Sequence, residues 1–449
     1  MIKFSGIILT FIFLTSCSLD SKSGLWTQGE KIVKEEKEKQ LNTISKKLFE
    51  EEEVLKREIN PQLKINLRSK LINNSFINNF DNNNGRINYN GNLKSISRFK
   101  FSKIDNFQEF EPEIVFDKDG VIFFDSKGSI FRFNELSKLV WKKNFYSKSE
   151  KKHNPTLFFG NNKKVLVVTD NLAKFYAMNI DNGELLWKKN HLAPFNSQVK
   201  VYKDRFFVID LENILRCFSL LDGKELWNIK TEQTFIKSQK KLSIIIINET
   251  VYFDNSMGDI TAVDVETGNL KWQTPTQINL IEKDSFTIKT SDLIANNDTI
   301  LFSNNDNNFF SLDINTGLVN WIQKVNSNLQ PTLIDNLVFA ISMEGYLVIM
   351  DNISGKILRS TNIFKDFKIR KIKWGIKPQP KYINFMPIGF IVGSKNIYLT
   401  TDHGRLFIID IITGKTTSVI KIDNEKISRP FILNQNLYII KKNAIIKLN

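Results

Sequence analysis

Three histidines, two cysteines and 48 carboxylates are the residues of this 449-residue chain whose types could carry chemistry. Their spacing is unhelpful to any of the common sites. His153, His191 and His403 stand far apart, with no HExxH helix and no paired CxxC, so the ligand spacing of a zinc centre is missing. No Ser-His-Asp order, phosphate-cradling glycine loop or paired-carboxylate motif is present. Cys217 lies in an apolar run and reads as a small core residue, not a nucleophile. The chain is therefore expected to hold no metal and no cofactor and to catalyse nothing.

Cys17 has a different context. Lys3 is followed by an apolar run from Gly6 to Leu14, then by Leu14-Thr15-Ser16-Cys17 and the polar Ser18, Asp20, Ser21 and Lys22. A membrane span needs about 20 apolar residues; this run is shorter and reads as a secretory signal. Leu-Thr-Ser-Cys resembles the bacterial lipobox, in which the cysteine thiol takes a diacylglycerol before cleavage. Residues 1–16 are then the signal peptide, and Cys17 becomes a lipidated N-terminus held on a membrane by its acyl chains. Ser18 after that cysteine resembles the pattern sorted to the outer membrane.

With 63 Lys and Arg against 48 Asp and Glu, the chain carries +15. That charge permits nucleic acid, anionic lipid or an acidic protein as partner. No basic run is interleaved with stacking aromatics, so nucleic acid is set aside.

The elements that would position any site begin with a charged stretch. From Gln28 to Glu58 charges are dense and balanced, with Leu41, Ile44, Leu48 and Leu55 near one helical face, so residues 17–60 read as a lipidated N-terminus and helical arm. Pro61 ends that pattern. Residues 61–92 are rich in Asn and read as a linker, which puts the start of the folded body near Leu93.

Residues 93–449 are a repeat. Asn182-Gly183-Glu184-Leu185-Leu186-Trp187 recurs as Asp222-Gly223 to Trp227, Thr267-Gly268 to Trp272 and Thr316-Gly317 to Trp321. Two further copies keep Gly355 and Gly414 but have Arg359 and Ser418 where the ring should be; an earlier one keeps Trp141 and has Ser137 at its turn. The six glycines lie 40, 45, 49, 38 and 59 residues apart, the period of a supersecondary unit. Within a unit the texture is four short strands and three hairpins, as in Thr332-Leu333-Ile334, Leu337 to Ser342, Tyr346 to Met350 and Lys356 to Ser360. Asp264, Asp313, Asp351 and Asp410 precede the turn glycines by four residues, where an Asp side chain can accept from backbone amides ahead of it.

Four-stranded antiparallel units in series predict an all-β fold, a β-propeller. Seven turns give seven blades, and a remainder gives an eighth: three strands between Phe431 and Leu448, completed by Ile96 to Ser102 from near the chain start. Pairing of the two ends in one blade would close the ring. Eight blades are expected, with seven as the alternative. Trp141, Trp187, Trp227, Trp272 and Trp321 are expected to pack between blades.

The Gly-x-x-x-Trp turn with its upstream Asp resembles the repeat of pyrroloquinoline quinone (PQQ) enzymes and their non-enzymatic relatives. Among those, an eight-bladed propeller behind a lipobox is similar to the BamB family, the B subunit of the outer-membrane β-barrel assembly machinery. The resemblance covers residues 93–449 and the signal; the charged arm before Pro61 and the two Trp-less repeats depart from it. It implies a non-catalytic lipoprotein on the periplasmic face of the outer membrane, a monomer within a complex. Its partners would be the barrel-inserting protein, companion assembly lipoproteins and unfolded outer-membrane clients. Two alternatives belong to other classes. A quinone-dependent dehydrogenase would place PQQ in the central channel over Ca²⁺, commonly beside adjacent cysteines, which this chain lacks. A lipoprotein propeller could instead bind polysaccharide or peptidoglycan.

The 59-residue interval holds an extra segment from Lys365 to Lys381. In it, Arg370, Lys371 and Trp374 are candidate contacts for an acidic partner or lipid head groups.

Overall fold

Each repeat has two runs that are apolar at almost every position, such as Val121-Ile122-Phe123-Phe124 and Phe206-Phe207-Val208-Ile209, all of them buried. Such runs suit strands covered on both faces, because a blade is sandwiched between its two neighbours. The last strand of a repeat reads differently: Leu185–Asn190 and Leu270–Thr274 expose most of their residues. One unit therefore encodes a buried inner part and a solvent-facing outer edge.

The computed structural model describes residues 55–69, 71–72, 85–105, 107–110, 112–117, 120–232, 240–276, 289–304, 306–367, 369–373 and 379–449. The chain divides into the units Met1–Glu53 and Val54–Asn449, and the described residues belong to the second. Cys17 and nearly all of the charged arm lie outside them.

The architecture is an eight-bladed β-propeller of four-stranded antiparallel sheets. Blade 1 runs from Val115–Asp117 to Leu139–Asn144, blade 2 from Leu157–Asn161 to Leu185–Asn190, and blade 3 from Lys200–Tyr202 to Glu225–Lys230. Blade 4 runs from Ile244–Ile247 to Leu270–Thr274 and blade 5 from Ile294–Ala295 to Val319–Gln323. Blade 6 runs from Thr332–Ile334 to Ile357–Asn362, and blade 7 from Pro387–Val392 to Thr416–Lys421. The first strands of blades 1 to 5 approach one another in turn around the central channel.

Blade 8 is the composite one. Phe431–Leu433, Asn436–Lys441 and Ala444–Leu448 are joined by Ser95–Lys100, whose Phe99 pairs with Ile445 and Lys100 with Ala444. The ring is thus closed by hydrogen bonds between chain ends, as the leftover strands predicted, and the count is eight. Closure is reinforced by an aromatic seam between blades 8 and 1, with Phe99 against Phe133 at 5.6 Å and Phe116 against Tyr438 at 5.1 Å.

Elsewhere too, the apolar clusters straddle pairs of blades. Phe207, Ile209, Leu215 and Cys217 of blade 3 pack on Ile244, Val251, Phe253 and Val263 of blade 4. Opposite each turn glycine's strand the ladder carries a bulge at a repeated place, for example between Ala177 and Met178 and between Cys217 and Phe218. Such bulges add twist to the blade.

The body does not begin afresh at Leu93. Residues 55–69 lie on blades 6 and 7 with a turn between Asn60 and Leu63: Ile59 and Ser360 exchange backbone hydrogen bonds at 3.1 and 2.8 Å, and Ile65 N donates to Ile412 O at 3.0 Å. Residues 85–93 fill the seam between blades 7 and 8, where Tyr89 is fully buried edge-on to Tyr398, 5.0 Å away.

Candidate functional site

The residues singled out by the repeat form the seams between blades. Each Trp stands on an outer strand, and its Nε1 donates to a backbone carbonyl of the next blade just ahead of the turn glycine. Trp141 reaches Ile180 O at 3.0 Å, Trp187 reaches Leu220 O at 3.0 Å and Trp227 reaches Val265 O at 3.2 Å. Trp272 reaches Ile314 O at 3.1 Å and Trp321 reaches Asn352 O at 2.9 Å. The glycine itself is pressed on the ring: a Cβ at Gly223, Gly268, Gly317 or Gly355 would lie 2.5–2.7 Å from a Trp carbon. At Gly183 the same atom would meet the Trp141 ring and Lys143. Positive φ and close approach together demand glycine here.

Cys217 has the same logic. It pairs directly across the ladder from Trp227, where Ala177, Ala262 and Ser311 stand across from Trp187, Trp272 and Trp321. A small residue makes room for the ring. Burial pushes the Cys217 thiol up to about 12, so it is no thiolate at neutral pH.

In blade 6, Arg359 takes the place of the Trp. It is completely buried and donates through Nη2 to Ile411 O at 3.0 Å and through Nη1 to Ile412 O and Leu63 O, the latter at 2.9 Å. A Cβ on Gly414 would meet its guanidinium at 2.8 Å. The planar cation thus copies the ring's seat, and the extra donor binds the N-terminal segment. In blade 7, Ser418 stands across the ladder from Ile408, which shares an apolar cluster with Tyr89.

The turn Asp residues behave as the sequence implies. Asp313 Oδ1 accepts from Asn315 N, Thr316 N and Thr316 Oγ1 at 2.8–3.0 Å, and Asp410 Oδ1 accepts from Thr413 N and Oγ1. A second Asx turn, missed in the sequence, recurs on the opposite face: Asp125, Asp170, Asp210, Asn255 and Asn304 each accept from the amides two and four residues on. Its signal was an Asx four or five residues before the third strand in blades 1 to 5.

The arrangement with the most chemical character lies at one end of the central channel, just ahead of the first strands. Arg429 of blade 8 donates through Nη2 to Glu113 Oε1 of blade 1 at 2.6 Å. Through Nη1 it donates to Asp292 Oδ2 of blade 5 at 3.2 Å and Gln330 Oε1 of blade 6 at 3.1 Å. Lys241 pairs with Glu113, Lys240 lies 3.7 Å from Asp292, and the buried Lys200 adds positive charge nearby. Burial alone would raise Asp292, yet Lys240, Arg429 and Lys241 hold it well below the usual carboxylate range. Glu113 is likewise lowered against its burial by Lys241 and Arg429. Carboxylates so stabilised as anions are poor general bases. Asp254 differs: burial pushes it up to about 8, and its Oδ1 accepts from Ser243 N.

Would this channel suit a quinone over Ca²⁺? Glu113 and Asp292 are already committed to protein cations, and among the described residues no three His, Cys, Asp or Glu come together to hold a metal. The residues present do not fit that group. The histidines remain apart: His153 ends a short 3-10 turn, His191 packs on Phe195, and His403 pairs with Asp402. Arg370 and Lys371 lie on a separate hairpin strand, Ile369–Lys373, while Trp374 falls outside the described residues.

Fold and seams define a class: an eight-bladed propeller built from PQQ-like repeats. Within it, the family model described as outer membrane protein assembly factor BamB matches residues 126–361, and the chain belongs to that family. Among solved structures, BamB from Moraxella catarrhalis superposes with a TM-score of 0.63 at 16% identity, over 80% of this chain and 100% of that one. Quinohemoprotein alcohol dehydrogenase from Comamonas testosteroni gives 0.61 at 10% identity, over 84% and 80%. A europium-containing methanol dehydrogenase gives 0.59 at 11%, over 80% and 87%. No curated protein matches the sequence. Among the described residues no helix is long and apolar enough to cross a membrane.

Proposed function

We propose that the chain is a non-catalytic scaffold of the outer-membrane β-barrel assembly machinery. It is tethered through Cys17 to the periplasmic face of the outer membrane, docks on the barrel-inserting protein and assists delivery of unfolded outer-membrane clients. The family match over residues 126–361 carries this reading. The dehydrogenases share the propeller, but a channel end bridged by Arg429 to three other blades supports a structural over a cofactor-binding role.

The outer strands suggest how clients are held. In blades 1 to 5 they expose aliphatic side chains beside lysines, as with Leu186 at 52% and Leu270 at 54% exposure, and each presents one open backbone edge. An extended client can add to such an edge, taking affinity from backbone hydrogen bonds and little from its sequence. The backbone exchange between Ile59 and Ser360 is a case within this chain of an extended segment lying on a blade's outer strand.

The test is affinity purification from gently solubilised membranes, with mass spectrometry of what co-elutes. Recovery of the barrel-inserting protein and its companion lipoproteins is expected; recovery of the propeller alone would overturn the reading. Acylation is checked separately, by incorporation of labelled palmitate that Cys17→Ala abolishes.

A further inference from the structure

The outer edge of blade 6 is covered by the chain itself. Its strand Ile357–Asn362 buries Arg359, Ser360 and Thr361, whereas the outer strand of blade 2, Leu185–Asn190, buries none of its residues. The cover is residues 55–60. Ile59 N donates to Ser360 O at 3.1 Å and Ser360 N to Ile59 O at 2.8 Å, while Ser360 Oγ donates to Arg57 O at 3.1 Å and Tyr346 Oη to Lys56 O at 2.8 Å.

This pairing is a single antiparallel bridge, and the residues beside it account for that. In an antiparallel ladder the next mutual bonds fall two residues to either side, at Pro61 opposite Leu358 and at Arg57 opposite Asn362. Pro61 has no N–H, so Leu358 O accepts from the Asn60 side chain instead, at 3.1 Å. At the other end Asn362 N donates to Glu58 Oε1 at 3.3 Å. Lys56, Arg57, Glu58 and Asn60 are exposed, and Leu55 and Ile59 are only half-buried. What they cover is polar, Arg359, Ser360, Thr361 and Asn362, so uncovering it brings little apolar surface to water. Beyond the turn from Asn60 to Leu63 the hold is firm: Ile65 is buried in the core of blades 6 and 7, and Leu63 O accepts from the buried Arg359. A weak stretch thus ends at a strong anchor, and stretches of that kind open locally while the rest stays folded.

We propose that residues 55–60 are a displaceable strap over the outer edge of blade 6, and that the uncovered edge takes an extended stretch of unfolded polypeptide in their place. The proposal rests on the scaffold reading above, in which such polypeptides are the clients. An incoming chain with no proline opposite Leu358 completes the ladder that the strap leaves unmade, through backbone bonds that ask little of its sequence. Until then the strap shields the edge from indiscriminate pairing.

The experiment uses the chain from Ser18 to Asn449, which lacks Cys17 and keeps the compact unit Val54–Asn449, with the photo-cross-linker benzoylphenylalanine in place of Leu358. The probe is reduced, carboxymethylated α-lactalbumin, a permanently unfolded chain. Mutually bonded residues such as Ile59 and Ser360 have Cα atoms about 5.5 Å apart, within disulfide range, so I59C/S360C locks the strap when oxidised. Cross-linking by the oxidised lock should fall at least about tenfold below that of the same variant after reduction. Ile59→Pro, which removes the strap's backbone donor, should exceed the parent severalfold, because apparent affinity scales with the open fraction. Equal cross-linking by the oxidised and reduced forms, or no gain in Ile59→Pro, would overturn the proposal. Near-ultraviolet circular dichroism confirms that each variant is folded. Since the probe is not an outer-membrane protein, failure to co-purify the barrel-inserting protein would strike the scaffold reading and leave this result standing.

Discussion

At Gly268 the backbone has φ of +72°, and a Cβ would lie 2.6 Å from the Trp227 ring. Gly268→Ala therefore meets both a left-handed penalty of about 1–2 kcal/mol and a steric one. Trp227→Ala should cost about 2–3 kcal/mol, below the range for a fully buried ring because this one is half-covered. The double variant should lose less than the sum, since both changes act on one contact; urea midpoints read all three. Asp254 gives a pH test. Its pKa is about 8 in the fold against the ordinary 3.8, so the folded state holds a proton that the unfolded state has released. Stability then falls as pH rises from about 4 to about 8. Asp254→Asn keeps an acceptor for Ser243 N, and its melting temperature should exceed the parent's by a margin that grows across that window and is level above it. Arg429→Met has the opposite trend. It leaves Glu113 to Lys241 and Asp292 to Lys240 alone, an expected cost at neutral pH below the about 3–5 kcal/mol of a wholly unpaired buried charge, and one that shrinks in acid, where both carboxylates protonate. The seam residues were legible because they repeat; Arg429, Glu113 and Asp292 were not, because each occurs once and they meet only when the ring closes.

Strands and turns were readable almost to the residue, since every blade states the same pattern: Thr332–Ile334 and Leu337–Ile341 lie where hydrophobic runs and the Asp335-Asn336 turn place them. The docked segment 55–69 was hidden by its neighbours. Pro61 and the Asn-rich stretch after it read as boundary and linker, although Leu63, Ile65 and Leu67 alternate as an edge strand does. Ile65 is in fact buried against the core of blades 6 and 7. Removing the chain through Ser69 leaves Arg359 short of the Leu63 carbonyl and bares that core. The truncated protein should melt several degrees lower than one shortened only through Glu53, which keeps the whole unit Val54–Asn449. Differential scanning calorimetry distinguishes the two.

For the whole molecule, the composite eighth blade makes the fold one cooperative object. A chain ending at Asn443 lacks Ala444–Leu448, so Ser95–Lys100 has no partner and the aromatic seam of Phe99, Phe133 and Tyr438 is broken. It should unfold in a broad, early transition, in contrast to the sharp one of the full chain, as followed by tryptophan fluorescence. The segment on blades 6 and 7 has a mechanical consequence as well. A pull transmitted along the N-terminal chain is met first at Glu58, Ile59 and Ile65, whose contacts are spread over two covalently continuous blades. Beyond them, Tyr89 is wedged between blades 7 and 8 before the chain arrives at Ser95. Tension is thus dissipated upstream of the closing strand, and the one joint of the ring made only of hydrogen bonds and packing works without load.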